Sequence, residues 1–388
     1  MRTLWPLLLL CACGRSTLLA RGGGGAEGGG GEAPAPPRCA EVAYEACRLV
    51  TDAPTVIASG VPGGAPDVAW LGGHFVVVFR QEAATRVAAA TVDGDVLWDE
   101  RVGPGGSPRI AAHPTVAAGA VLTDRGVGYL DHDGRPIGDF FVGTPFASDT
   151  MNGSLAPIAD GFVGVVGPTS DPGGQAQAVK LLMSLTPGSG AFVPFYPDTP
   201  TPRIDRSLGA DGLLHRFGFE ANGDGIELVT FGWEGGTLTL ATPPASQGSG
   251  TSFVDGFFSD GTRSSFIYGN DFGFAIVTVD ETGEVGTTST LVESGDAAGF
   301  TAARLATASA GLGPVVIEID GLVTDQVTVA RLDALTAELS DPIPLGPRGR
   351  DARLQRWDRG LVVVWSDTDT DRVLLRALDC CRADMEGG

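Results

Sequence analysis

The chain has 388 residues, 43% of them hydrophobic and 19% charged, with 58 glycines and 26 prolines. That balance supplies ample apolar surface for a large core but too many turn-formers for a helical protein, so it favours an all-β fold. The formal net charge is −21 and Lys180 is the single lysine; such a surface repels nucleic acid and anionic lipid, and leaves a basic partner, a divalent cation or plain solubility as its meaning.

In chain order the first element is "MRTLWPLLLLCACGRS". One arginine, an apolar run from Leu4 to Leu10 and then small residues read as a secretory signal peptide over residues 1–12, too short to span a bilayer. At Leu10-Cys11-Ala12-Cys13 the stretch resembles the lipobox of bacterial lipoproteins. The resemblance implies that Cys13 becomes a lipidated N-terminus and joins the chain to a membrane. Gly14, in place of an aspartate, implies the outer membrane or cell surface. Residues 13–38 follow as a tether. Its main part, "RGGGGAEGGGGEAPAPPR", cannot form a core, and as a coil it reaches on the order of 25 to 30 Å.

The folded domain is expected over residues 39–388. From residue 65 onward one pattern returns seven times, first as "DVAWLGG", "HFVVVFR", "RVAAATVDGD" and "VLWDERVG". Each piece is a strand-length apolar or alternating run bounded by Gly, Asp or Pro, so each unit predicts a four-stranded meander. A glycine closing the first turn recurs at Gly73, Gly119, Gly161, Gly212, Gly261, Gly311 and Gly360, spaced 42 to 51 residues apart. A second turn follows the third strand, as "VDGDV" at Asp93 and "DHDGRPI" at Asp133, and its last counterpart is Asp379.

Seven such units resemble a β-propeller, in which radial repetition covers the sheet edges. No WD-repeat, Kelch or Asp-box signature accompanies the pattern, so the resemblance is to an architecture, with stacked β-sandwiches as the alternative. The last unit, "ARLQRWDRG", "LVVVWSD" and "RVLLRALD", has no fourth strand, while "PTVIASGVPGGAPD", Pro54 to Asp67, has no unit of its own. A three-plus-one closure by this N-terminal strand is therefore expected.

The cysteines agree with that closure. Cys39 and Cys47 lie upstream of the N-terminal strand, and Cys380 and Cys381 lie where the last third strand ends. Four cysteines allow three pairings. A bond between adjacent residues is strained, and neighbours on a strand point apart, so each of the last two is expected to reach one upstream cysteine. Such a clasp closes a loop of over 300 residues, contributes roughly 5 kcal/mol in the chain-entropy model, and requires an oxidising compartment.

Signals of catalysis are weak. His74, His113, His132 and His215 are scattered without a zinc-like spacing, and no G-x-S-x-G elbow or complete phosphate loop is present. "SDTDTDR" alternates Asp367, Asp369 and Asp371 as some calcium loops do, but lacks the turn glycine and distal glutamate, so it reads as a solvated turn. Loops with Glu220, Asp224, Asp271, Asp320 and Asp325 would make one propeller face acidic. Four units open their innermost strand with arginine before an aliphatic residue: Arg109, Arg203, Arg304 and Arg353. Guanidinium groups gathered at a channel mouth would bind an anion; alternatively they bridge neighbouring blades through Asp205, Asp351 or similar groups. The expectation is a monomeric, non-enzymatic propeller without cofactor or metal that binds a protein partner or an anionic extracellular ligand and no nucleic acid. The alternative is a carbohydrate- or anion-active enzyme with its site at that mouth.

Overall fold

In a computed structural model of the chain, the described residues are 39, 42–142 apart from short gaps, the strands between 151 and 347, and 348–382 apart from residue 368. Side chains are described chiefly over 42–137, 326–331 and 341–382. The signal-peptide, lipidation and tether expectations over residues 1–38 lie outside this range.

The described chain is all-β, with a single 3-10 turn at Tyr44–Ala46. Two short strands come first, β1 (Arg48–Leu49) and β2 (Thr55–Ser59). The first full sheet is β3 (Asp67–Trp70), β4 (Phe75–Gln81), β5 (Ala84–Ala90) and β6 (Val96–Pro104). The second is β7 (Arg109–Ala112), β8 (Gly119–Thr123), β9 (Gly126–Leu130) and β10 (Pro136–Val142). The third is β11 (Met151–Ile158), β12 (Gly161–Pro168), β13 (Gln177–Leu182) and β14 (Ala191–Pro194). The fourth is β15 (Leu208–Asp211), β16 (Leu214–Ala221), β17 (Gly225–Glu234) and β18 (Thr237–Gln247). The fifth is β19 (Phe253–Ser259), β20 (Arg263–Asn270), β21 (Gly273–Asp280) and β22 (Val285–Glu293). The sixth is β23 (Arg304–Ser309), β24 (Pro314–Ile319), β25 (Gln326–Leu332) and β26 (Leu339–Pro347). The last is β27 (Gly349–Trp357), β28 (Gly360–Asp367) and β29 (Arg372–Asp379), with β1 and β2 both pairing antiparallel with β29.

Every sheet is an antiparallel meander whose first strand lies beside the first strand of the next. β3 meets β7, β7 meets β11, and so on through β15, β19, β23 and β27, which meets β3 again. A ring of first strands follows. The second strands β4, β8 and β28 are largely apolar because a sheet packed between two neighbours buries both faces, so alternation gives way to continuous runs. All of β8 and β28 is buried, as are the first five residues of β4.

The two faces of each strand go to different neighbours. Phe75, Val77 and Phe79 pack with Val362, Val364, Val373 and Leu375 of the last sheet, whereas Val76 and Val78 pack with Ile110, Val121 and Leu130 of the second. On β28 the other parity, Leu361, Val363 and Trp365, packs with Val327, Val329 and Leu345 of the sixth sheet. Each fully buried side chain of this kind contributes about 1.5–3 kcal/mol.

The turns follow the sequence signals. Gly94 and Gly134 adopt φ of +96° and +73° in matching third-to-fourth-strand hairpins, and Asp131 Oδ1 accepts hydrogen bonds from the Asp133 and Arg135 N–H groups. Gly360 opens β28 because a Cβ there would stand 2.1 Å from the Leu378 carbonyl oxygen. Gly212, Gly261 and Gly311 lie outside the described residues.

Candidate functional site

Among the described residues, chemistry-bearing side chains gather most at the outer seam where residues 42–61 meet β29, and at the rim formed by the starts of the first strands.

At the seam, residues 42–61 run antiparallel along β29. Val42 bridges Cys381, the Ala43 N–H donates to the Cys380 carbonyl at 2.9 Å, and β1 pairs Leu49 with Leu378. β2 then pairs Thr55 with Leu375 and Ser59 with Arg372, and the Val61 N–H donates to the Asp371 carbonyl at 2.7 Å. The fourth strand is thus split, where the sequence suggested one run from Pro54. The break falls at Thr51–Pro54, and there Arg376, almost fully buried, donates to the Thr51 and Asp52 carbonyls at 2.6 and 2.9 Å and to the Leu345 carbonyl at 2.8 Å. One guanidinium therefore satisfies backbone oxygens that the interrupted ladder leaves over. Asp67, included in the expected closing strand, instead opens β3.

Two disulfides fix the seam, Cys39–Cys381 and Cys47–Cys380, with Cα atoms 5.7 and 3.8 Å apart. Between them the Tyr44 hydroxyl, at 2.9 Å from both the Val329 and the Asp341 carbonyl oxygens, ties the segment to the sixth sheet, and Glu45 pairs with Arg331. Burial, and then Asp341, raise the Tyr44 phenol above its ordinary value, so it stays protonated as a donor. Disulfides of this kind belong to an extracellular or secreted setting. Among the described residues no helix is long and apolar enough to cross a membrane.

At the rim, Asp67 from the first sheet is fully enclosed. Its Oδ1 accepts from the Val68 N–H at 2.9 Å, and its Oδ2 accepts from the Ile110 N–H of the second sheet at 3.0 Å. The guanidinium groups of Arg109, from the second sheet, and Arg353, from the last, both act on this carboxylate. Burial raises the Asp67 carboxyl above the usual carboxylate range, while Arg109, Arg353 and the two N–H donors pull it back. Arg109 is 5% exposed and also donates to the Pro108 carbonyl at 2.7 Å; Arg353 is half-buried. Two of the four sequence-predicted arginines are thereby brought to one carboxylate across three sheets. Arg203 lies outside the described residues, and of Arg304 only its place at the start of β23 is described.

The sequence pointed to Asp205, Asp351 or similar groups as bridging carboxylates without singling out Asp67; Asp205 lies outside the described residues. The missed signal is positional: "APDVAW" puts an aspartate after proline where "SPRIA" and "TPRID" put arginine. The alternating aspartates behave as a turn. Asp367 is buried and accepts from Thr370, from the Asp369 N–H at 2.9 Å and from Arg372 at 2.9 Å. Burial alone would raise this carboxyl, but those hydrogen bonds together hold it below its ordinary range. Among the described residues Asp131, His132 and Asp133 also crowd together in a hairpin, with Asp131 occupied by the turn itself. His113 is buried edge-on to Phe162, 5.9 Å between centroids.

No protein-family model matches the chain, and no curated protein matches it. Solved structures do resemble it. The BP39L lectin from Burkholderia pseudomallei aligns with a TM-score of 0.57 at 11% identity, over 82% of this chain and 96% of that one. A protein of unknown function from Dyadobacter fermentans aligns at 0.51 and 11% identity, over 86% and 99%. BBS1N, solved in complex with ARL6DN, aligns at 0.51 and 11% identity, over 85% and 98%. At this identity the likeness concerns the fold alone, and that fold is an all-β, propeller-like one.

Proposed function

We propose that the seven sheets are the blades of one β-propeller and that the protein is a surface-held binding module. Its ligand is an anionic extracellular carbohydrate that it retains without transforming. Lipidated Cys13 and the tether over residues 13–38 hold it at the outer membrane or cell surface. The ligand meets the rim where Arg353 and Arg109 flank Asp67.

One observation carries the reading: the guanidinium groups of Arg353 and Arg109, from the two neighbouring blades, converge on the single buried carboxylate of Asp67 between them, in a chain whose overall charge is −21. A fixed carboxylate holds planar forks in place, and such forks match carboxylate ligands. The carbohydrate class draws on the likeness to a lectin of similar extent and on the absence of a recognisable catalytic motif in the sequence.

The test is binding of the full chain to polygalacturonate, with dextran as the neutral control. Arg353→Gln, which keeps a hydrogen-bond donor near Asp67, is expected to weaken polygalacturonate binding by tenfold or more while the protein stays folded at the assay temperature, although its melting temperature falls. Equal retention of both polymers, or of neither, would overturn the reading. Shortening of the polymer during the assay would replace it with the enzymatic one.

A further inference from the structure

The disulfide connectivity bears on how the protein is made. Within residues 39–388 there are four cysteines, and the native bonds join the first to the last and the second to the third. The partners are separated by 342 and 333 residues. Synthesis runs from the N-terminus, so Cys39 and Cys47 are exposed to oxidant long before Cys380 exists, and within the domain each is then the other's only partner. Loop closure points the same way: by the three-halves power of loop length, a ring of about 8 residues closes a few hundred times more readily than one of 342.

We propose that maturation passes through a Cys39–Cys47 disulfide that must be broken, which makes this chain a client of a thiol–disulfide isomerase in its export compartment. The structure says why the early bond cannot persist. Cys39 and Cys47 lie on either side of the Tyr44–Ala46 turn, and in the fold each faces a different cysteine of the C-terminal pair. It also says why the chain is poorly equipped to rearrange alone. Cys380 is fully buried, so once β28 and β29 have formed its sulfur is shielded from an upstream disulfide.

The chemistry balances without further reagents than two protein thiol systems. An isomerase thiolate attacks one sulfur of the Cys39–Cys47 bond; that bond breaks, a mixed disulfide with Cys39 forms, and Cys47 leaves as thiolate. The Cys381 thiolate then displaces the isomerase from Cys39, forming Cys39–Cys381 and regenerating the isomerase thiolate. Cys47 and Cys380 finally give two electrons and two protons to a disulfide-bearing protein oxidant, which leaves as its dithiol, and Cys47–Cys380 forms.

The experiment is oxidative refolding of the reduced full chain in a glutathione buffer, with alkylation at intervals and non-reducing peptide mapping. A Cys39–Cys47 peptide is expected first, native links later, and a catalytic amount of protein disulfide isomerase is expected to speed the second stage tenfold or more without changing the first. The double variant Cys47→Ser with Cys380→Ser removes the short loop but keeps Cys39–Cys381, and is expected to form its bond at a rate indifferent to isomerase. Should refolding in vitro stall, secretion with and without co-expressed isomerase gives the same readout, with Cys39–Cys47 accumulating in its absence. Native links forming first, or an isomerase effect equal in parent and double variant, would overturn the proposal.

Discussion

The ring of sheets is closed twice, at its outer seam and at its inner rim, and the two closures use different physics. The seam relies on covalent links and on donors aimed at neutral carbonyls: two disulfides, the Tyr44 hydroxyl and the Arg376 fork. The rim relies on charge, with Asp67 set among Arg109, Arg353 and two N–H groups. Covalent closure acts mainly on the unfolded chain by restricting it, whereas buried charge acts on the folded one, where removing a single member leaves the others uncompensated. The seam should therefore be strong and indifferent to pH, and the rim intolerant of substitution and sensitive to pH.

The largest effect expected is at the seam. The chain-entropy model assigns about 5–6 kcal/mol to the first long loop, but the second disulfide then closes only a short one, worth about 2–3 kcal/mol. Either bond removed alone should cost about 2–3 kcal/mol, and both together, as Cys39→Ser with Cys47→Ser, about 8 kcal/mol. Denaturant unfolding of the three variants measures this; additive losses would erase the distinction between nested and independent clasps.

Next comes Asp67→Ala, expected to cost about 3–5 kcal/mol, because it strips the anion from two guanidinium groups and the acceptor from two buried N–H donors. A loss below about 1 kcal/mol, by thermal or urea unfolding, would mean that the rim arginines are held from elsewhere. Tyr44→Phe is smaller, about 1–2 kcal/mol, since the ring still fills its place against the sixth sheet and only the shared hydroxyl is lost.

The smallest effect is the pH response, and it has opposite signs at two aspartates. Asp67 is raised in the fold, so the folded chain holds its proton more firmly than the unfolded one. Its contribution is full below the ordinary carboxylate range, and is lost as pH rises from that range through the raised value. Asp367 is depressed, so its contribution is present above the ordinary range and lost as pH falls below it. Urea midpoints from pH 7 down to 4.5 should therefore shift in favour of the parent relative to Asp67→Asn. A shift the other way would place the Asp67 carboxyl below its usual range and make the arginines, not burial, the dominant influence.

Much of the architecture was legible because it repeats. Period, turn residues and the missing fourth strand of "RVLLRALD" are local facts written several times over, and the sheets follow them. The pairing of each terminal cysteine with one upstream cysteine was legible for the same geometric reason, although not which with which. Arg376, Tyr44 and Asp67 were not legible. Each acts across hundreds of residues or between sheets, on backbone atoms or on a side chain of another unit, and nothing in its own neighbourhood marks it. Arg109 and Arg353 carried a shared sequence signal after a turn, but the carboxylate on which they act broke the pattern by being an aspartate at the corresponding place.

The split outer strand has a mechanical consequence. β1 and β2 meet β29 by ladders of hydrogen bonds, which a pull from the N-terminal side would open one at a time, like a zip. Cys39 stands ahead of both, joined through sulfur to Cys381. Tension arriving along the chain before Cys39 is thus delivered directly to the C-terminal end of β29, and with Cys47–Cys380 standing behind it as a second link ahead of β1, the ladders carry none of it until both bonds are reduced.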